Sequence, residues 1–293
     1  MRQFEYIFDS IGCMPKYPKK IIVLAAAPDR MDERTGVLLV CHGWGTNRYQ
    51  HLDILKAAAD RYNLLCIAPE FRMSGYDYDP VGGYGWCMPY DMSFYQTLDA
   101  LLALRFTLRI HPALNRRRLF AYGGSQGGHI VLLGGIFAPN TFAAIYASSS
   151  LVWVTDTPDR LAEVGRDYSE AEKNIRSVLY LIDHLNTPLF MEHGTADDNV
   201  SHLTHTALLE KLMKERGKPC EVIYYEGGNH DLAPTIKKVD AFHAMASRFL
   251  DTYENDSQDD FSAGSVISIP CGAKTLTVNW GKEANDEMFM SWK

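Results

Sequence analysis

The run Gly123-Gly124-Ser125-Gln126-Gly127 constrains this chain more than any other feature. It fits the pattern G-x-S-x-G. Arg118-Leu119-Phe120-Ala121-Tyr122 before it reads as a strand, and Ile130-Val131-Leu132-Leu133 after it reads as a helix. A serine aimed out of so tight a strand-to-helix turn sits in strained backbone geometry. The neighbouring chain then passes so close that the positions two before and two after can carry no side chain. Other glycine loops fit poorly. A Walker phosphate loop needs Lys followed by Ser or Thr, where this chain has His129-Ile130. A dinucleotide fingerprint needs glycine where Ser125 or Gln126 stands.

Strand-like and helix-like segments alternate on both sides of this turn. Further strands are predicted over residues 4–8, 20–26, 37–40, 64–68, 142–147, 188–192 and 221–225. Helices are predicted over 52–62, from an N-cap at Asp91 to about 110, near 176–185, and over 201–216 and 235–250. Such alternation argues for an α/β fold with a mostly parallel central sheet and helices on both faces. Residues 1–250 read as one domain, with residues 150–186 as a small cap insertion. From Asp251 an acidic run reads as a linker. Beyond it, residues 266–269 and 275–278 alternate around Pro270 and Gly272 as a β-hairpin. This appendage, 251–293, is too short to stand alone. It either covers the core or makes a homo-oligomer contact.

The bulk numbers exclude several classes. A chain of 293 residues suffices for one large α/β domain. Its net charge of −7 gives no basic footprint, so no nucleic-acid partner is expected. No stretch approaches the ~20 apolar residues of a membrane span. The first residues, Met1-Arg2-Gln3-Phe4-Glu5-Tyr6, lack the apolar core of a signal peptide. The six cysteines are scattered, without a C-x-x-C pair, and read as reduced in a cytoplasmic compartment. Cys41, although next to His42, reads as inert core at the end of a buried strand. His202 and His205 lie three apart with no third ligand at a known spacing, so no metal is assigned.

A serine hydroxyl is a poor nucleophile unless a histidine takes its proton and a carboxylate orients that histidine. The chain supplies both, in the order Ser, Asp, His, each on a loop after a predicted strand. Asp197 is the candidate acid, within His193-Gly194-Thr195-Ala196-Asp197-Asp198-Asn199-Val200. Its neighbour Asp198 reads as a helix cap or surface charge. His230 is the candidate base, flanked by Gly227, Gly228 and Asn229. An oxyanion needs two backbone N–H groups. Gln126 offers one, directly after the serine. Trp44 is the candidate for the other, in His42-Gly43-Trp44-Gly45, with Gly45 as its rival. His42 is expected to hold that loop by hydrogen bonds. Tyr84 and Trp86, in the Gly- and Tyr-rich loop 71–90, and Trp153, in the cap, are the candidate substrate-binding aromatics.

With three motifs in this order, residues 20–250 resemble the α/β-hydrolase superfamily. The elbow Gly123-Gly124-Ser125-Gln126-Gly127-Gly128 resembles that of the acetyl xylan esterase and cephalosporin-C deacetylase family. The acid loop is similar to that of prolyl oligopeptidases and dipeptidyl peptidases, where the first of two aspartates, here Asp197, joins the triad. The chain departs from that family at Gln126, where Tyr is usual, and its length leaves no room for the propeller that many members carry. The resemblance implies a serine hydrolase that cleaves a small carboxylic ester, such as a sugar O-acetyl, through an acyl-enzyme and without a cofactor. The alternatives are a serine peptidase of the prolyl oligopeptidase type acting on short peptides, and a non-catalytic relative that binds a ligand.

Overall fold

Segments that are apolar at successive positions form strands only where both faces of a sheet are covered. Five such runs do so here: β3 (Gly36–Cys41), β4 (Leu64–Pro69), β5 (Leu119–Gly124), β6 (Ala144–Ser148) and β7 (Leu189–Gly194). Every residue in them is buried. The computed structural model describes residues 1–14, 17–72, 91–153 and 168–293. In it these strands join β1 (Arg2–Met14), β2 (Tyr17–Ala27) and β8 (Cys220–Tyr225) in one sheet of order β1-β2-β4-β3-β5-β6-β7-β8. The pairs β1/β2 and β2/β4 are antiparallel, and every other neighbouring pair is parallel.

The helices are α1 (Leu52–Tyr62), α2 (Phe94–Ile110), α3 (Gln126–Phe137), α4 (Glu170–Asn174), α5 (Thr206–Glu215), α6 (Lys238–Ala246) and α7 (Asp260–Ala263). One face of the sheet is covered by α1 and α6, whose Leu55, Ala59, Phe242 and Met245 share a core with Leu38, Phe120 and Tyr146. The other face is covered by α2, α3 and α5. All residues of α3 are buried, so the helix that follows Ser125 has no solvent face. Among the described residues no helix is long and apolar enough to cross a membrane.

Tertiary bonds redraw several predicted boundaries. The long helix begins at Phe94, not Asp91, because Met92 (φ 53°) and Ser93 (φ 81°) break the helical backbone. Asp91 still satisfies the first turn, since its carboxylate accepts the Gln96 N–H at 3.0 Å. Residues 176–185 are turns with a short 3-10 segment at Ile182–His184, not one helix. The Val178 N–H is spent on the Val152 carbonyl at 2.9 Å, and the Arg176 guanidinium donates to the carbonyls of Asp91 (3.0 Å) and Glu172 (2.9 Å). The bonds to Val152 and Asp91, both distant in sequence, override local helix preference. The helices predicted over 201–216 and 235–250 shorten to α5 and α6.

The acidic run after Asp251 carries buried anchors. Asp259 pairs with Arg116 at 3.2 Å and caps α7 by accepting the Ser262 N–H at 3.0 Å. Asp260 is fully buried and accepts the Asn140 N–H at 2.7 Å. Beyond it, β9 (Val266–Pro270) and β10 (Thr275–Asn279) form the expected hairpin, and β11 (Met290–Trp292) adds a third strand that no pattern in the sequence announces. Ile269, Leu276, Val278, Trp280 and Phe289 belong to the same buried cluster as the leucines of α2 and α3. Trp280 Nε1 donates to the Phe137 carbonyl, the last residue of α3, at 2.9 Å. Removing this side chain therefore opens a cavity in the main core. Trp280→Ala is expected to cost about 3–5 kcal/mol, read as a lower urea midpoint at an unchanged m-value. A loss below about 1 kcal/mol would mean that the C-terminal strands do not share that core.

Candidate active site

Ser125 sits at the junction of β5 and α3 with φ 56° and ψ −121°, a backbone conformation that a side-chain-bearing residue rarely adopts. Its surroundings hold it there. The Ser125 N–H donates to the Ser148 carbonyl at 2.8 Å, and the Ser125 carbonyl accepts from His129 N–H at 3.3 Å and Leu151 N–H at 3.4 Å. A Cβ added at Gly127 would lie 2.0 Å from the Cys41 carbonyl oxygen, and one at Gly123 would lie 2.1 Å from the Gly127 carbonyl oxygen. Only glycine lets the end of β3, the end of β5 and the start of α3 meet this closely.

The acid and the base come from the loops after two adjacent parallel strands, β7 and β8. His230 Nδ1 lies 2.7 Å from Asp197 Oδ2, and that carboxylate is wholly buried. Asp197 Oδ1 accepts the N–H groups of Asn199 at 3.0 Å and Val200 at 2.9 Å. Burial alone would push the Asp197 carboxyl up. Hydrogen bonds from His193, His230 and the Val200 amide outweigh it and hold the group well below its ordinary value of 3.8. Asp198 is exposed, and Asp231 is bonded to Lys238 at 3.1 Å. Of these three carboxylates, Asp197 is the one hydrogen-bonded to the imidazole.

A second imidazole touches the same oxygen. His193 Nε2 lies 2.9 Å from Asp197 Oδ2 and 2.9 Å from the Val200 carbonyl, and His193 Nδ1 lies 2.6 Å from Thr206 Oγ1. Sequence reasoning passed over His193, although it stands within the very run that carries Asp197.

Ser125 and His230 line one cleft of about 470 Å³, together with Gly43, Trp44, Thr46 and Leu151 among others. Among the described residues no hydrogen bond joins the Ser125 hydroxyl to the imidazole; in unliganded enzymes this contact is often long and tightens with substrate. The loop after β3 is braced by Gln50, whose Oε1 accepts the Gly43 N–H at 2.6 Å and the Thr46 hydroxyl at 2.8 Å. Gly43 is thus engaged inside its own loop, and Trp44 follows it at the edge of the cleft. Nothing in the sequence marked Gln50. His42 is packed flat on Phe71, ring centroids 3.9 Å apart, with Nδ1 2.9 Å from the Gly43 carbonyl. Burial pushes its ring down to about 4, so at neutral pH it is an uncharged brace, as expected. Gln126 turns its side chain inward, and its Nε2 donates to Gln96 Oε1 at 2.9 Å, tying the elbow to the first turn of α2. Burial pushes the Cys41 thiol far up, which leaves it inert.

The aromatic assignments fare differently. Tyr84 and Trp86 lie outside the described residues. Trp153 is not among the residues that line the Ser125 cleft. Its Nε1 donates to the Thr204 carbonyl at 3.2 Å, and its ring stacks on His205 with centroids 5.8 Å apart. Those bonds hold the indole against the start of α5. His205 is likewise committed, since its Nδ1 accepts the Val152 N–H at 3.2 Å.

The model of the prolyl oligopeptidase family matches residues 94–256, a span that includes Ser125, Asp197 and His230. Over 146 residues the chain is 27% identical to the uncharacterized peptidase YtmA of Bacillus subtilis (strain 168), covering 46% of this chain and 56% of that protein. The fold is similar to that of the Pyrococcus horikoshii acylaminoacyl peptidase, with a TM-score of 0.68 and 14% identity, over 88% of this chain and 42% of that one. It is also similar to Thermogutta terrifontis esterase 2, phosphoramylated by tabun, with a TM-score of 0.61 and 16% identity, over 84% and 94%. The chain therefore spans about half the length of the two peptidases. These likenesses establish the α/β-hydrolase fold.

The lowered Asp197 carboxyl has a consequence for stability. A group held low in the folded state stabilises the fold at pH values above its unfolded value, and the contribution fades as pH falls toward the folded value. Asp197→Asn is therefore expected to be less stable than the wild type by a constant amount above about pH 4, with the gap narrowing below it. Denaturation midpoints measured between about pH 6 and pH 3 check this; a gap that widens on acidification would contradict the assignment.

Proposed function

The chain belongs to the prolyl oligopeptidase family, and on that premise we propose that it is a serine hydrolase cleaving small carboxylic esters through an acyl-enzyme on Ser125. The observation that carries the proposal is the His230–Asp197 pair, 2.7 Å apart, on the same cleft as the strained Ser125. In this reading the Ser125 hydroxyl attacks the ester carbonyl while His230 Nε2 takes its proton. Asp197 orients the ring through Nδ1 and stabilises the imidazolium. The developing oxyanion is met by the backbone N–H groups of Gln126 and Trp44. His230 then returns its proton to the departing alcohol. A water molecule, deprotonated by the same imidazole, releases the acyl group and frees Ser125.

Support for an ester comes from the elbow. Gln126 replaces the tyrosine usual in the family and resembles the deacetylase type. The tabun-modified esterase has the same fold, which makes organophosphorus reagents a natural probe. A second reading, hydrolysis of short peptides, draws on the family match and on YtmA.

A fluorophosphonate probe is expected to label the folded wild type and to leave Ser125→Ala unlabelled. An unlabelled wild type would overturn the proposal. His230→Ala is expected to lose about 10⁴-fold or more in kcat. Turnover of p-nitrophenyl acetate is expected to exceed that of aminoacyl p-nitroanilides. The opposite ranking would assign the chain to the peptidases.

A further inference from the structure

We propose that His193 is a positioning residue for the candidate triad: it shares the charge of Asp197 with His230 and so sets how firmly His230 holds its proton. The inference rests on the serine-hydrolase reading above and adds a fourth side chain to it.

The geometry leaves the neutral His193 ring one tautomer. Its Nε2 faces two acceptors, Asp197 Oδ2 and the Val200 carbonyl, each at 2.9 Å. Neither can donate, so Nε2 must carry a hydrogen. In the neutral ring Nδ1 is then an acceptor, and the Thr206 hydroxyl, 2.6 Å away, donates to it. Thr206 opens α5, so the start of that helix selects the tautomer. The opposite tautomer would aim a lone pair at a carboxylate and a carbonyl. His193 is completely buried, which makes a wrong pairing costly.

Asp197 consequently receives four donors: two amides on Oδ1 and two imidazoles on Oδ2. The carboxylate cannot rotate, and Oδ2 does not spend its whole charge on His230. A carboxylate bound by His230 alone would stabilise the imidazolium more strongly, keep the base protonated at higher pH and return the proton to the leaving group less readily. Among the described residues, the other charged or titratable groups around it include the half-buried His202, whose ring centroid is 6.2 Å from that of His193, Tyr224, the register partner of His193 in β8, the chain neighbour Glu192, His205 beside Thr206, and the exposed Asp198 and Asp231, the latter bonded to Lys238.

Three variants test this. His193→Leu removes both nitrogens. His193→Gln keeps an N–H near the Nε2 position. Thr206→Val removes only the hydroxyl that selects the tautomer. Each is compared with the wild type by the pH dependence of kcat/KM on p-nitrophenyl acetate, by the separate values of kcat and KM, and by fluorophosphonate labelling. For His193→Leu the acid limb is expected to move up by about 1 pH unit, and kcat to fall about tenfold with KM within about twofold. His193→Gln is expected to recover most of both, and Thr206→Val to lie between. Folded His193→Leu with the wild-type acid limb would overturn the inference. If that variant does not fold, folded Thr206→Val with a wild-type acid limb does the same. A fall in kcat with no movement of the limb would mark a merely structural histidine and also overturn it. A wild type that takes no label would remove the serine-hydrolase reading and this inference together. A labelled, active wild type with unmoved limbs in the variants removes the role of His193 alone.

Discussion

A serine at φ 56° and ψ −121° costs on the order of 1–3 kcal/mol and persists only where its surroundings over-determine it. Here the over-determination is a pinch between three backbones. Gly127 rests on the Cys41 carbonyl, Gly123 rests on Gly127, and the amide of Ser125 is tied to β6 through Ser148. Much of the architecture follows from that pinch. It forces the end of β3 beside the serine, which places the loop at Gly43 and Trp44 across the cleft from it. It also drives α3 into the interior as a helix with no polar face. A helix of that kind needs apolar cover on every side, and α2 with the C-terminal strands provides what the sheet does not.

The acid–base pair depends on a second constraint. The loops after β7 and β8 are zipped together by backbone bonds before any side chain takes part: Thr195 N–H donates to the Tyr225 carbonyl at 3.0 Å, and Ala196 N–H to the Gly228 carbonyl at 2.9 Å. The separation of Asp197 and His230 is thus set by the parallel register of two neighbouring strands. Burying a carboxylate there would be unfavourable without donors. Four are present, and two of them are amides of the same short loop. His193 and Thr206 extend this shell to the start of α5, so the orientation of the acid is tied to the packing of a helix.

The C-terminal segment illustrates how burial can exceed what composition suggests. Its acidic run looks solvated, yet Asp259 and Asp260 are buried anchors for Arg116 and for the turn at Asn140. Both carboxylates are satisfied by fixed donors, which is the condition for burying charge. Past them, Trp280 bonds the last carbonyl of α3, an acceptor that a helix end leaves without an intrahelical partner.

Local chemistry was legible in the residues themselves. The strain at Ser125 demands small neighbours at fixed offsets, so the glycines announce the elbow. The apolar runs of β3 to β7 announce buried strands, and Asp197 and His230 stand just past two strand ends. Everything that depended on side-chain direction between distant residues was not legible. Asp91 and Arg176 lie far apart in the chain, and their bond helped decide that one predicted helix would not form, while the left-handed backbone of Met92 and Ser93 made another start late. Trp153 turned toward the Thr204 carbonyl and the His205 ring, which the fold places beside it. The second imidazole on Asp197 is of the same kind. The sequence alone determined which residues could do chemistry, since that rests on residue type and local strain. Only the tertiary structure decided which of them meet, because a hydrogen bond depends on register and rotamer, and neither is written in any short stretch of chain.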